Sequence, residues 1–241
     1  MTASAKKDFS QGIYQVSATQ KERLGTIQVL ADGRIFRYSQ AGSSALSAGK
    51  MGQAPTAVAN HINRNPASAV SVGANTVEIT VGATAVTADQ YKDGWLFINN
   101  GAGAGGAYRI DSNTACDASG TTIVTLADPI MEALTTSSTV SLYPNNWKGV
   151  AESATEENLP AGVPLVDVPA DYYYWAQTGG LANVLISGTP AVGTMLVMAS
   201  TAGAVGAMNA TLDIDQPVVG IKALAAGVDG QYGPVYLLID R

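Results

Sequence analysis

The sequence predicts an all-β protein, built as two small sandwich- or barrel-like domains with an extended N-terminal arm. Three observations carry the prediction. Only 13% of the 241 residues are charged, against about 25% in an average domain. Ala, Val, Thr and 26 Gly are plentiful while the Glu, Lys, Arg and Leu favoured by helices are scarce. Finally, short β-rich runs recur between Gly, Pro, Asn and Asp clusters, at the spacing of a sandwich or barrel. With 46% hydrophobic residues the chain is globular rather than disordered, and its length favours two domains over one.

The arm covers residues 1–24. It is polar, with Phe9, Ile13, Tyr14 and Val16 as isolated apolar points. Two readings stand: a frayed tail, or a segment that becomes ordered when laid across a neighbouring subunit. Residues 25–69 form a hairpin and a connection. Thr26-Ile27-Gln28-Val29-Leu30 and Ile35-Phe36-Arg37-Tyr38 flank Asp32-Gly33, a strong hairpin signal. A short helix is expected around 54–62, stopped by Asn65-Pro66.

Residues 70–150 form the first β domain, with strands expected at 76–81, 94–99, 107–110, 121–126 and 139–143. The chain turns polar and acidic from Asn145 through Glu157, which places the boundary near residue 150. Residues 151–241 form the C-terminal β domain, with strands at 163–168, 172–177, 181–187, 194–199, 217–223 and 235–239. No period of 20 to 50 residues repeats, so a solenoid or propeller is not expected.

A formal charge of −6 and scattered basic residues speak against nucleic-acid binding. The single cysteine, Cys116, permits no intrachain disulfide and reads as a small buried thiol. The first eleven residues carry Lys6, Lys7 and Asp8 without an apolar stretch behind them, so neither a signal peptide nor a membrane anchor is expected.

Each motif that spells chemistry has a plainer reading. Gly101-Ala-Gly103-Ala-Gly105-Gly106 satisfies G-x-G-x-x-G, but the strand-like Tyr108-Arg109-Ile110 follows where a phosphate-binding helix would be needed. It reads as a permissive turn between strands. His61 is the only histidine, so a catalytic triad would have to centre on it. Asp213 and Asp215 would share one strand face, yet two carboxylates without further ligands usually form a solvated edge. Glu152, Glu156, Glu157, Asp167 and Asp171 are candidate acids for glycoside hydrolysis, but aromatics make up only 7% of the chain, few for a sugar platform. No catalytic residue, cofactor or metal site is expected.

Tyr172-Tyr173-Tyr174-Trp175 is the densest aromatic run. Alternation sends Tyr172 and Tyr174 to one face and Tyr173 and Trp175 to the other. One face is expected to be core; packing of both faces into core is the favoured reading, and the second face as a contact surface is the alternative. The candidate interface residues are therefore Phe9, Ile13, Tyr14, Tyr173 and Trp175.

Residues 76–144 resemble a segment of tailed-phage virion structural proteins. The likeness rests on Ala-Val-Thr-Ala-Asp-Gln-Tyr, Gly-Trp-Leu-Phe-Ile-Asn-Asn, the glycine run, Ala-Tyr-Arg-Ile-Asp-Ser-Asn and Leu-Ala-Asp-Pro-Ile-Met-Glu-Ala-Leu. Tyr173-Tyr174-Trp175-Ala-Gln-Thr-Gly-Gly, Val-Gly-Thr-Met-Leu-Val and Val218-Val219-Gly220-Ile-Lys-Ala-Leu are similar to the compact β domains of head decoration, or capsid cement, proteins. The two likenesses together cover about two thirds of the chain. The resemblance implies a non-enzymatic homo-oligomer, commonly a trimer, made in the host cytoplasm and seated on the virion head. There its partners are the major capsid protein and its own copies, with no nucleic acid or membrane involved. Such cement proteins consist of one β domain where this chain has two, so a capsid fibre or a tail, receptor-binding component remains an alternative. A hydrolase on a β scaffold, needing a cleft with perturbed carboxylates or an activated His61, is the reading from another class.

Overall fold

The computed structural model describes residues 9–154, 158–209 and 216–240. The chain begins with β1 (Ile27–Val29), β2 (Ile35–Ala41) and β3 (Gly52–Gln53). Six strands follow: β4 (Asn65–Pro66), β5 (Thr76–Thr80), β6 (Trp95–Asn100), β7 (Ala107–Asn113), β8 (Thr121–Leu126) and β9 (Thr139–Tyr143). The last seven are β10 (Lys148–Glu152), β11 (Pro160–Pro164), β12 (Tyr173–Leu185), β13 (Met195–Met198), β14 (Val205–Ala207), β15 (Val218–Lys222) and β16 (Tyr232–Leu238). The fold is all-β, as the composition and strand rhythm predict. The helix expected around 54–62 is a single 3-10 turn, Ala59–His61.

Two compact units divide the chain, and the division is not linear. Unit 1 combines residues 1–55 with 146–241, and unit 2 is the stretch 56–145 inserted between them. The expected split into 25–69, 70–150 and 151–241 is corrected here by strand pairing. β2 lies antiparallel to β12, with Tyr38 opposite Trp175, so the early hairpin belongs to the C-terminal sheet. The hairpin itself forms as Asp32-Gly33 predicts: Leu30 O accepts from Gly33 N, and Gly33 takes the positive φ of +85° that closes a three-residue loop.

Unit 1 holds one ten-stranded sheet that closes on itself twice. Pairings β2–β10, β10–β3, β3–β11, β11–β12 and β12–β2 make a five-stranded circuit. The first half of β12 serves that circuit; its second half pairs with β16, which leads through β15 and β13 to β14. An isolated bridge from Ile186, just past β12, to Val205 in β14 closes the second circuit. Each circuit encloses its own core. Ala41, Val150, Ala161, Tyr174 and Ala176 belong to the first, and Val184, Leu196, Met198, Val219, Val235 and Leu237 to the second.

β12 is read from the sequence as two strands broken at Gly179-Gly180, but it runs through. Gly180 takes φ +79°, and a Cβ there would stand 3.1 Å from Arg34 Cα. The glycine pair thus marks a bulge where backbones approach closely, not a turn.

Unit 2 is a six-stranded sheet in the order β4-β5-β8-β7-β6-β9. Arg64 and Val140 exchange backbone hydrogen bonds of 2.7 Å each way, an isolated bridge that joins the β4 end to β9 and closes the sheet at one point. Strands β5 and β6 alternate, and Leu96, Ile98, Val77, Ile79, Ile110, Val124 and Leu142 belong to one core. Gly101, Gly103 and Gly105 take φ of +81°, +78° and +89° between β6 and β7, the permissive turn expected of this run.

Candidate functional site

From Phe9 onward the arm is part of unit 1. The Phe9 ring meets Trp175 edge-on at 4.9 Å, and Trp175 Nε1 donates to Gln11 O at 2.9 Å. Gln11 is buried: its Nε2 donates to Gln15 O and Tyr173 O, and its Oε1 accepts from Tyr38 OH at 2.8 Å. Ser17 and Tyr173 exchange backbone hydrogen bonds as a further bridge.

These contacts decide the fate of the aromatic run. Alternation holds, with Tyr174 facing the first circuit's core and Trp175 facing outward from it. That second face is covered by the chain's own arm together with Leu24, Phe36 and Tyr38, and Trp175 is 1% exposed. Trp175 is therefore a core residue and not a contact residue. Phe9, Ile13 and Tyr173 are partly buried against the same cluster, Tyr173 stacked on Tyr38 at 6.0 Å. Only Tyr14, at 63%, stands well into solvent.

Three of the residues weighed for catalysis, His61, Glu152 and Asp167, have structural partners. His61 is buried: Nε2 donates to Thr84 O at 2.9 Å, so Nδ1 accepts from Tyr91 OH at 2.5 Å. Glu152 accepts from Lys50 Nζ and from the Ser47 amide and hydroxyl. Asp167 accepts from Ala48 N, and Asp171 sits in a turn at φ +63°. Glu156, Glu157, Asp213 and Asp215 lie outside the described residues. Cys116 is half-buried against the unit 2 core. Among the described residues no three His, Cys, Asp or Glu side chains gather as a metal site.

Two outward sheet faces carry apolar side chains that the sequence reading missed. In unit 1, register places Leu181 opposite Tyr236, Tyr236 opposite Ile221, and Ile221 opposite Met195. The result is an apolar row across β12, β16, β15 and β13, with Leu181, Tyr236 and Met195 each about half exposed. Alternation in Leu181-Ala182-Asn183-Val184 signals the outward position of Leu181, but the strand neighbours that make it a row are invisible in sequence. In unit 2, Trp95 lies opposite Tyr143 on one side and Arg109 on the other, and Phe97 lies opposite Ser141 and Ala107. Ring centroids are 6.1 Å apart for Trp95–Phe97 and 5.1 Å for Phe97–Tyr143, at inclinations of 44° and 48°.

No family model, curated protein or solved structure matches the chain.

Proposed function

We propose that the chain is a non-enzymatic structural protein of a tailed-phage virion, one that decorates the head and ties neighbouring capsid subunits together through its sheet faces. The apolar row Leu181–Tyr236–Ile221–Met195 carries this reading. Apolar side chains aligned across four strands on an outer face suit contact with a partner better than contact with water. The segments that resemble head decoration proteins contribute three of those strands, β12, β13 and β15. A homotrimer on a symmetric lattice multiplies weak contacts of this kind by effective concentration.

The test is native mass by light scattering, followed by co-sedimentation with emptied heads of the phage whose genome encodes the chain. The reading expects a trimer that pellets with heads, and loss of pelleting in a folded Tyr236→Glu, Met195→Glu variant. Wild-type protein left in the supernatant overturns it. The second reading, a fibre or tail subunit that engages a host surface, is favoured by the exposed aromatic face of unit 2. Retention on purified host envelope, without retention on heads, would select it.

A further inference from the structure

We propose that the outward face of β9, β6 and β7 in unit 2 is a carbohydrate-binding site for a neutral oligosaccharide. Alternation along β6 turns Leu96 and Ile98 into the core and leaves Trp95, Phe97 and Asn99 outside. Phe97 is flanked by Ala107, too small to cover it. With Tyr143 the two rings form a contiguous apolar surface, each ring tilted by 44–48° from the next and none of them buried.

The rim of this surface is polar in a particular way. Asn99 Nδ2 donates to Asn63 Oδ1 at 2.6 Å and to Ser141 Oγ at 2.7 Å. Asn63 is pinned in turn, at φ +52°, by its own amide donating to Ser141 Oγ. Those bonds orient two exposed amides while leaving Asn99 Oδ1 as an acceptor and Asn63 Nδ2 as a donor. The Arg109 guanidinium lies over the Trp95 ring, 5.6 Å from its centre, and 4.0 Å from the Asp93 carboxylate.

A pyranose has the complementary character, with a C–H face that packs on aromatic rings and a hydroxyl rim that pairs with planar amides and guanidinium groups. The Arg109–Asp93 pair balances charge, so the face does not select an acidic ligand. Trp95 is 36% and Phe97 38% exposed; with about 150–250 Å² per aromatic side chain, the three rings offer roughly 200 Å². A few sugar rings fit that area, and the fixed amides beside it match a hydroxyl rim. The open face implies weak binding per copy, strengthened when copies are displayed together. The proposal rests on this face alone and holds wherever the chain resides.

The test is to probe the full chain on an array of immobilised plant, animal and bacterial oligosaccharides, then titrate the best-retained glycan in solution. Trp95→Ala and Phe97→Ala are each expected to weaken binding at least tenfold. Trp95→Tyr should keep most of it, Asn99→Ala should lose several-fold, and Val72→Ala, at an exposed position away from this face, should change nothing. Far-ultraviolet circular dichroism and melting establish that each variant is folded, and Asn99→Ala, at an exposed position, serves if a ring variant is not. Retention of no oligosaccharide, or equal binding by wild type and folded variants, overturns the proposal.

Discussion

Whether Trp175 anchors a partner or fills a core is decided by Gln11, 164 positions away, whose carbonyl accepts the indole N–H. Removing the indole leaves a cavity under Phe9 and Tyr38 and an orphaned carbonyl, so Trp175→Ala should cost about 3–5 kcal/mol in urea unfolding. Tyr14→Ala, in solvent, should stay within about 0.5 kcal/mol. Two partly buried carboxyls are held below their ordinary range. Arg37 donates to both oxygens of Asp240 at 2.8 Å, which outweighs partial burial. Burial pushes Glu152 upward, but hydrogen bonds from Lys50 and Ser47 together pull it further down. Each depressed carboxyl contributes stability that is fully present above its unfolded value near 4 and is lost as pH falls through the lower folded value. Stability measured from pH 7 to pH 2 should therefore fall below about pH 4. Asp240→Asn should be less stable at pH 7 and should lose less on acidification.

Along the strands, local pattern was informative wherever a run alternates and meets a turn with a special φ. The Asp32-Gly33 hairpin and β5 to β9 follow from that pattern. β10 was hidden because Lys148–Glu152 is polar, and it forms because β2 and β3 supply partners on both sides. Gly179-Gly180 misled because a glycine pair signals either a turn or a close backbone approach, and only the neighbouring strand tells them apart. Gly73 and Gly180 separate the two costs of a side chain. Both have positive φ, but a Cβ at Gly73 meets nothing within 4 Å, whereas at Gly180 it crowds Arg34. Gly73→Ala should cost about 1 kcal/mol from φ alone, and Gly180→Ala clearly more, read from the shift in urea midpoint.

Over the whole molecule, the all-β class was legible from composition, but the assignment of segments to units was not. Pairing of residues near 40 with residues near 173 leaves no trace in either segment, because each strand shows only which of its faces is apolar. The candidate surfaces failed for the same reason: Trp95 and Tyr143 are far apart in sequence and become neighbours only through the β6–β9 register. Unit 2, with its closed sheet and self-contained core, should fold when residues 56–145 are expressed alone. A dispersed amide proton spectrum and cooperative melting would verify this, and a collapsed spectrum would show that the barrel depends on unit 1.

β12 belongs to both circuits of unit 1, giving its first half to β2 and its second to β16. Neither ring can open at that strand without exposing the other, so the pair has one common hinge pin rather than two separate ones. In deuterium exchange, amides along β12 should be the last in unit 1 to take up label, released only by global unfolding. Those of β1, which pairs with β2 alone, should exchange through local fraying long before. A strand that is slow along its entire length would mean that the two rings melt as a single body.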